Sequence, residues 1–326
     1  MKVLVTGAGG YIGTVLVPLL LSKGYEVIAL DRFFFGKTLQ EDKGLKIVDD
    51  DIRFVEPDVL RGVDAVIDLA ALSNDPSGEL DPIKTWSINY LGRFRIANLA
   101  KRMGVKRYIL PSSCSVYGFR EDIADETSST NPLTTYAKAN LKGEKDILPL
   151  ADKNFTVTVF RIATVYGYAK TRRMRFDLVI NAFVRDLVTK NKIFVMKDGT
   201  QWRPFVHVWD VANAFTIALE KETINGEVFN LGSDDQNYQI FDLAVRISKA
   251  LNKELNYEWY GSPDKRSYRV SFKKLKEKFG YVPKYRVEDA AVEISKAILS
   301  GELDPNDPRY ITVSWYKKLI SEGVLV

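Results

Sequence analysis

The chain has 326 residues, 46% apolar and 27% charged, with a formal net charge of +5. That length buries a large core in one big α/β domain or two smaller ones, and no apolar run approaches the ~18 residues of a membrane span. One cysteine, Cys114, excludes an intramolecular disulfide, and with a single histidine, His207, it argues against a structural zinc site, so no metal is expected. The mild positive charge suits an anionic small molecule but holds no basic run dense enough for nucleic acid. The first strand begins almost at the first residue, so neither signal nor transit peptide is expected, and the composition points to the cytoplasm.

Taken in order, the chain opens on a short apolar strand, Val3-Leu-Val5, a glycine-rich turn, and an apolar helix through Ile12, Val15, Leu16, Leu19 and Leu20. Gly7, Gly10 and Gly13 fall three apart, with Tyr11 and Ile12 between them. In such a turn one glycine bends the chain, one admits a pyrophosphate to the backbone, and one lets helix and strand pack closely. The helix N-terminus then turns its free N–H groups and positive dipole end towards the phosphates. A second strand, Glu26–Asp31, ends in an acid where a carboxylate takes both ribose hydroxyls of NAD and repels the 2′-phosphate of NADP. Arg32 follows and favours that phosphate instead; the weight falls on NAD. Pro18 inside the first helix implies a kink.

Further strands are expected at Leu45–Val48, Ala65–Ala71 and Arg107–Leu110, with a helix from about Ile83 to Met103. Almost wholly apolar strands alternating with helices imply a parallel sheet covered on both faces, with ligands at the carboxyl ends of its strands. Beyond it, a helix is expected from about Tyr136 to Leu150, a strand at Thr156–Phe160, and an apolar helix from about Asp177 to Thr189. After Gly232 the segments shorten, interrupted by Pro263, Pro283, Pro305 and Pro308. The expected fold is therefore α/β, a doubly wound parallel (Rossmann) sheet with a smaller, mostly C-terminal substrate-binding domain. Residues 1–165 would form the first unit, with return segments at about 205–232, and residues 166–326 mainly the second.

Two stretches offer chemistry. Pro111-Ser-Ser-Cys-Ser-Val-Tyr-Gly118 sets small polar residues, Ser112 to Ser115, at the carboxyl end of a central strand; a loop whose hydroxyls cap the next turn is the bland alternative. Tyr136 stands at a helix start, where a tyrosine of lowered pKa serves as general acid or base.

With these residues the chain resembles the extended short-chain dehydrogenase/reductases that act on nucleotide sugars, such as UDP-galactose 4-epimerases and dTDP-glucose dehydratases. Thr6-Gly7-x-x-Gly10-x-x-Gly13 is similar to the family's cofactor turn. The resemblance gives Asp51 and Ile52 the adenine contact and sets Leu69, Ala70 and Ala71 beneath the nicotinamide ribose. It makes Asn89 a support of the active site. Ser112 falls on the cofactor side, and Ser113 and Ser115 on the sugar side, with Ser113 on the sugar 4-oxygen. Tyr136 takes the place of the catalytic tyrosine, and Glu144 lies on its helix. Thr164, Asn181, Gln201, Arg203 and either Arg266 or Arg269 fall on the substrate and its diphosphate, His207 on a structural role. The basic loop from Arg172 to Arg175 either closes over the same phosphates or is an exposed charge cluster. A homodimer through the helices at Ile83–Met103 and Tyr136–Leu150 is also implied.

One departure matters. Where the family has a lysine four residues after its tyrosine, this chain has Asn140, which keeps a ribose hydrogen bond but supplies no charge. Lys138 and Lys142 fall on other faces of the helix. Where dTDP-glucose 4,6-dehydratases carry Asp and Glu, it has Cys114 and Ser115. An ordinary dehydratase is disfavoured, and Cys114 is either an unusual acid or a small half-buried residue. The resemblance implies a nucleotide-sugar epimerase-like oxidoreductase with NAD, oxidising C4 of an NDP-hexose transiently. A dehydratase using Cys114, a 4-keto-sugar reductase and a non-catalytic nucleotide-binding module are the rivals.

Overall fold

Alternation of side chains along the first strands sets the layers. In β1 (Lys2–Thr6), Val3 and Val5 point to one face of the sheet and Leu4 to the other. In β2 (Glu26–Asp31), Val27 and Ala29 oppose Ile28 and Leu30 in the same way. Both faces are covered, which is why these strands read as continuous apolar runs.

The computed structural model describes residues 1–171, 173–264 and 266–325. Its main sheet continues with β3 (Leu45–Asp49), β4 (Ala65–Asp68) and β5 (Arg107–Ser113). After the short β6 (Ile123–Ala124) comes β7 (Thr156–Ile162); β8 (Thr164–Tyr166), β9 (Ile193–Met196) and β10 (Trp202–His207) lie outside this sheet, and β11 (Glu227–Leu231) returns to it. Seven parallel strands result, in the order β11-β7-β5-β4-β1-β2-β3. The winding reverses between β1 and β4, so a crevice opens at their carboxyl ends. With β12 (Asn237–Gln239), β13 (Tyr257–Tyr260) and β14 (Arg269–Val270) the remaining strands make three small sheets, β12-β10-β8, β13-β9 and β14-β6.

Helix α1 (Gly13–Ser22) covers one face of the sheet through Val15 and Leu16. Pro18 sits in it on the exposed side, and the helix runs on through it. A short α2 (Asp75–Gly78) precedes α3 (Pro82–Trp86), a π-helical turn over Ser87–Gly92, and α4 (Arg93–Arg102). Ile96, Ala97 and Ala100 of α4 pack on the opposite face, as does Ile147 of α5 (Thr135–Ile147). The remaining helices are α6 (Val179–Lys190), α7 (Val208–Glu220), α8 (Ile240–Ala250), α9 (Val287–Leu299) and α10 (Thr312–Ser321). Helix α7 lies beside α1, and α6, α8 and α9 pack together in a core continuous with the α1 face.

Two strands end elsewhere than expected. β4 stops at Asp68, not Ala71, because the chain turns there over Gly7: the Ala70 N–H donates to Thr6 Oγ1 at 3.1 Å. β5 instead runs on to Ser113, since Ser112 and Ser113 pair with Arg161 and Ile162 of β7. Among the described residues no helix is long and apolar enough to cross a membrane.

Candidate functional site

At the switch point the structure holds a cleft of about 490 Å³. Its floor is the glycine turn. Gly7 has φ +63, and a Cβ there would lie 2.6 Å from the Leu69 carbonyl carbon; one on Gly13 would lie 2.5 Å from the Gly7 oxygen. Only hydrogen fits at either position, so backbone rather than side chain faces the cleft. Asp31, at the end of β2, accepts from the Gly9 N–H at 3.0 Å and the Phe33 N–H at 2.6 Å. Burial pushes its carboxyl upwards, and those two donors hold it back. Arg32 lies against the Phe34 ring, 5.5 Å from its centre. Asp51 is gripped by the Arg53 guanidinium at 2.8 and 3.0 Å, which holds its carboxyl below the usual range, and Ile52 is buried beside it.

The opposite end is assembled from distant segments. Ser112 and Ser113 close β5; the Ser112 hydroxyl donates to Glu144, whose carboxylate is paired with Arg161 of β7 at 2.7 Å. Ser113 Oγ caps the next turn by accepting from the Ser115 N–H at 3.1 Å. Thr134 caps α5 by accepting from the Ala137 N–H, which sets Tyr136 in the first turn, facing the cleft. Burial, and then Asp75, push the Tyr136 hydroxyl above its ordinary range; Arg93, Asn140 and Ser113 pull it down.

Of the residues singled out in the sequence, the cleft is lined by Gly7, Gly10, Tyr11, Ile12, Gly13, Asp31, Arg32, Asp51, Ile52, Leu69, Ala70, Ala71, Ser112, Ser113, Ser115, Tyr136, Thr164, Gln201, Arg203 and Arg266. Ser115 Oγ and Gln201 Oε1 are buried without a partner, so the cleft keeps unspent hydrogen-bonding capacity. Arg203 and Arg266 share Asp264, at 3.0 and 2.7 Å, and Arg266 also meets Asp75 at 2.6 Å.

Other expectations fail or change. Cys114 is fully buried outside the cleft, its thiol donating to the Arg161 carbonyl at 3.2 Å and pushed well above its usual range by burial; a proton-donating role in the cleft does not fit it. Asn181 is a clasp rather than a ligand group: its oxygen accepts from the Gly167 N–H at 2.9 Å, and its amide donates to Tyr11 Oη at 3.2 Å and the Arg175 carbonyl at 3.0 Å. Arg269 points elsewhere, over Trp202 and onto the Glu121 carbonyl, so Arg266 is the arginine of that pair that lines the cleft. Asn89 is buried beneath the cleft and grips the Leu72 backbone from both sides, at 2.8 and 3.1 Å. His207 caps α7 by accepting from the Trp209 N–H, and burial pulls its pKa down to about 3.

Within the basic loop the described arginines are buried, not exposed. Arg172 lies outside the described residues, but Arg173 and Arg175 are both buried and line the cleft. Arg175 pairs with Asp177. Arg173 lies over the Phe35 ring, 3.6 Å from its centre, with its pKa drawn down to about 10 by burial and by Arg175. Sequence reasoning also missed the return of the C-terminus: Trp315 donates to the Phe34 carbonyl at 2.6 Å, and Tyr316 and Leu325 line the cofactor end. No local pattern announces a contact across that separation. Asn140 lies just outside the cleft lining, 3% exposed, with its oxygen accepting from Arg93 Nη1 at 3.1 Å and its amide nitrogen unpartnered.

A dinucleotide fits these residues. Side chains are excluded where a pyrophosphate must approach, a carboxylate stands at the end of β2, and the Asn140 amide is a buried donor still without an acceptor. Among the described residues no cluster of His, Cys, Asp or Glu is arranged to hold a metal ion.

Comparison with known proteins identifies relatives of this chain. UDP-glucuronic acid decarboxylase 1 of Arabidopsis thaliana is 27% identical over 313 residues, covering 89% of this chain and 68% of its own. UDP-glucose 4-epimerase of Bacillus subtilis is 27% identical over 291 residues, covering 79% and 85%. The crystal structure of UDP-glucuronic acid 4-epimerase from Bacillus cereus, in complex with UDP-glucuronic acid and NAD, superposes with a TM-score of 0.82 at 24% identity, covering 92% of this chain and 99% of that one. The model of the NAD dependent epimerase/dehydratase family matches residues 3–232, and the chain belongs to that family of NAD-dependent, short-chain-dehydrogenase-type enzymes.

Proposed function

We propose that the protein is a nucleotide-sugar 4-epimerase or a close variant, working by transient oxidation at C4 of an NDP-hexose. The observation that carries this reading is the meeting of Ser113 and Tyr136 in one cleft with the glycine turn and with Arg203 and Arg266. When bound, NAD supplies a hydride acceptor that later returns what it took. Gly7, Gly10 and Gly13 with the start of α1 would hold its pyrophosphate, Asp31 its adenosine ribose, and the Asn140 amide its other ribose. Ser113 orients the sugar hydroxyl, and Tyr136 takes that hydroxyl's proton as C4 is oxidised and returns it on reduction. Arg203 and Arg266 face the diphosphate, which their guanidinium forks suit once it competes with Asp264 and Asp75.

The same reading divides the chain near residue 165 into a cofactor part and a substrate part, with the return segment 205–232 rejoining the first. It makes the protein a homodimer through α3, α4 and α5, where Ile83 of α3 and Leu91 of the π-helical turn leave apolar side chains 82% and 55% exposed. The lone buried cysteine accords with the reducing cytoplasm. The test is proton NMR of the protein with NAD and UDP-, dTDP-, GDP- and CDP-sugars. Appearance of a 4-epimer names the substrate. Binding of every sugar class without conversion of any would overturn the reading.

A further inference from the structure

Among the described residues, Arg93 is a buried charged group to which the site described above gives no role. It opens α4 directly after the π-helical turn, 3% exposed, in the interior beneath the cleft. Its guanidinium donates to the Asp68 carbonyl at 3.0 Å, to the Pro111 carbonyl, and to the Asn140 oxygen at 3.1 Å, while Nε has no hydrogen-bond partner. Its nearest carboxylate, Asp68, stands 3.7 Å from Nε, and that carboxylate also accepts from Thr6 and from Tyr108. Arg93 is thus ion-paired with Asp68 at 3.7 Å, while its hydrogen bonds go to neutral oxygens, so its charge is not spent on a close carboxylate contact.

The geometry says what uses it. A guanidinium can only donate, so the Asn140 side chain must turn its oxygen to Arg93 and its amide N–H groups away. Tyr136 and Asn140 are four residues apart on α5, on one face of the helix. The orphaned Asn140 amide therefore sits beside the Tyr136 side chain, with the positive charge directly behind it.

We propose that Arg93 is a positioning residue that restores, from a neighbouring helix, the charge that a lysine at position 140 would have supplied. Asn140 is the adaptor: it passes a hydrogen-bond donor towards the tyrosine and the cofactor ribose while Arg93 fixes its orientation and supplies the field. This inference rests on the reading of Tyr136 as the proton carrier. Two acids bound the effect: Asp75 of α2, tied to Arg266, faces Tyr136, and Asp68 of β4 faces Arg93. Glu144, farther along α5, is held by Arg161. Burial raises the Tyr136 hydroxyl and Asp75 adds to that, so the Arg93 charge acts against both.

The test reads ionisation, not turnover. Ultraviolet titration of NAD-loaded protein, minus the same titration of Tyr136→Phe, isolates the Tyr136 phenolate. Arg93→Gln should move that titration up by about one to two pH units, the effect of one charge a few ångströms away at protein-like dielectric. Arg93→Gln combined with Asn140→Lys should bring it back, because the charge then returns on the tyrosine's own helix. Should Arg93→Gln fail to fold, Asn140→Asp keeps the side-chain shape, neutralises the field locally and should move the titration in the same upward direction. A shift with these variants in a protein that converts no sugar keeps the inference and removes the epimerase reading. An unchanged phenolate titration in folded Arg93→Gln or Asn140→Asp overturns it.

Discussion

The two ends of the cleft are built on different principles. The core of the adenosine end is local, although the C-terminal segment packs over it: the glycine turn and Asp31 lie on consecutive elements, and each is fixed by backbone contacts within a few residues or one strand away. The reacting end is composite. Ser113 comes from β5, Tyr136 and Asn140 from α5, Arg93 from α4 and Arg266 from beyond β13, held by one buried and one half-buried ion pair and by carbonyls. A local site tolerates change elsewhere in the chain, whereas a composite one depends on the scaffold that brings its parts together.

The sharpest way to separate the ends is Tyr136→Phe. Turnover should fall about a thousandfold, the usual scale of a general acid–base group, while cofactor affinity measured by fluorescence titration stays within about twofold. Equal loss of both would merge the two ends into one.

Next in size is Arg161→Ala, which strands the buried Glu144 carboxylate beneath Ser112. Breaking such a pair should cost about 3 kcal/mol of stability in denaturant unfolding, with m unchanged. A loss below about 1 kcal/mol would mean that the reacting end does not lean on this pair.

His207 probes the scaffold that both ends share. It is the only histidine, and its folded pKa of about 3 lies below the unfolded value of about 6.5. The unfolded chain therefore binds a proton over that window while the folded one does not, and stability falls as pH drops below 6.5. Between pH 6.5 and 5 the loss should be about 1.6 kcal/mol. His207→Asn, which keeps an N-cap acceptor, should flatten the slope in calorimetry over that range. A slope that persists in the variant would assign it to other groups.

The smallest effect belongs to Asp31→Asn. It removes the ribose carboxylate and leaves an oxygen for only one of the Gly9 and Phe33 N–H groups, which meet different oxygens of Asp31, and should weaken NAD about tenfold with the maximal rate nearly intact. A drop in that rate instead would show the adenosine end reaching into the chemistry.

The same contrast explains what could be read from the amino-acid order. The glycine spacing, the acid closing β2 and the apolar runs are short-range patterns whose physics is complete within a βαβ unit, and the sheet followed from them. The exchange of a lysine for Asn140 was visible too. Its counterpart was not, because Arg93 lies in an ordinary-looking helix, and only the π-helical turn and the packing of α4 against α5 bring it to Asn140. Arg173 looked like part of an exposed basic run; in the fold it is buried over Phe35 beneath a C-terminal segment that no local signal places there. Cys114 and Asn181 failed as site residues for the converse reason: a residue of the right type in the right motif can spend all its polar atoms on the scaffold.

The most direct test of the central claim uses whichever nucleotide sugar the protein converts, carrying deuterium at C4 and observed by NMR in ordinary water with NAD-loaded protein. Oxidation and return within one closed site predicts that the epimer keeps its deuterium at C4. Exchange of that label for solvent protons, or product that forms with C4 configuration unchanged, would contradict the account.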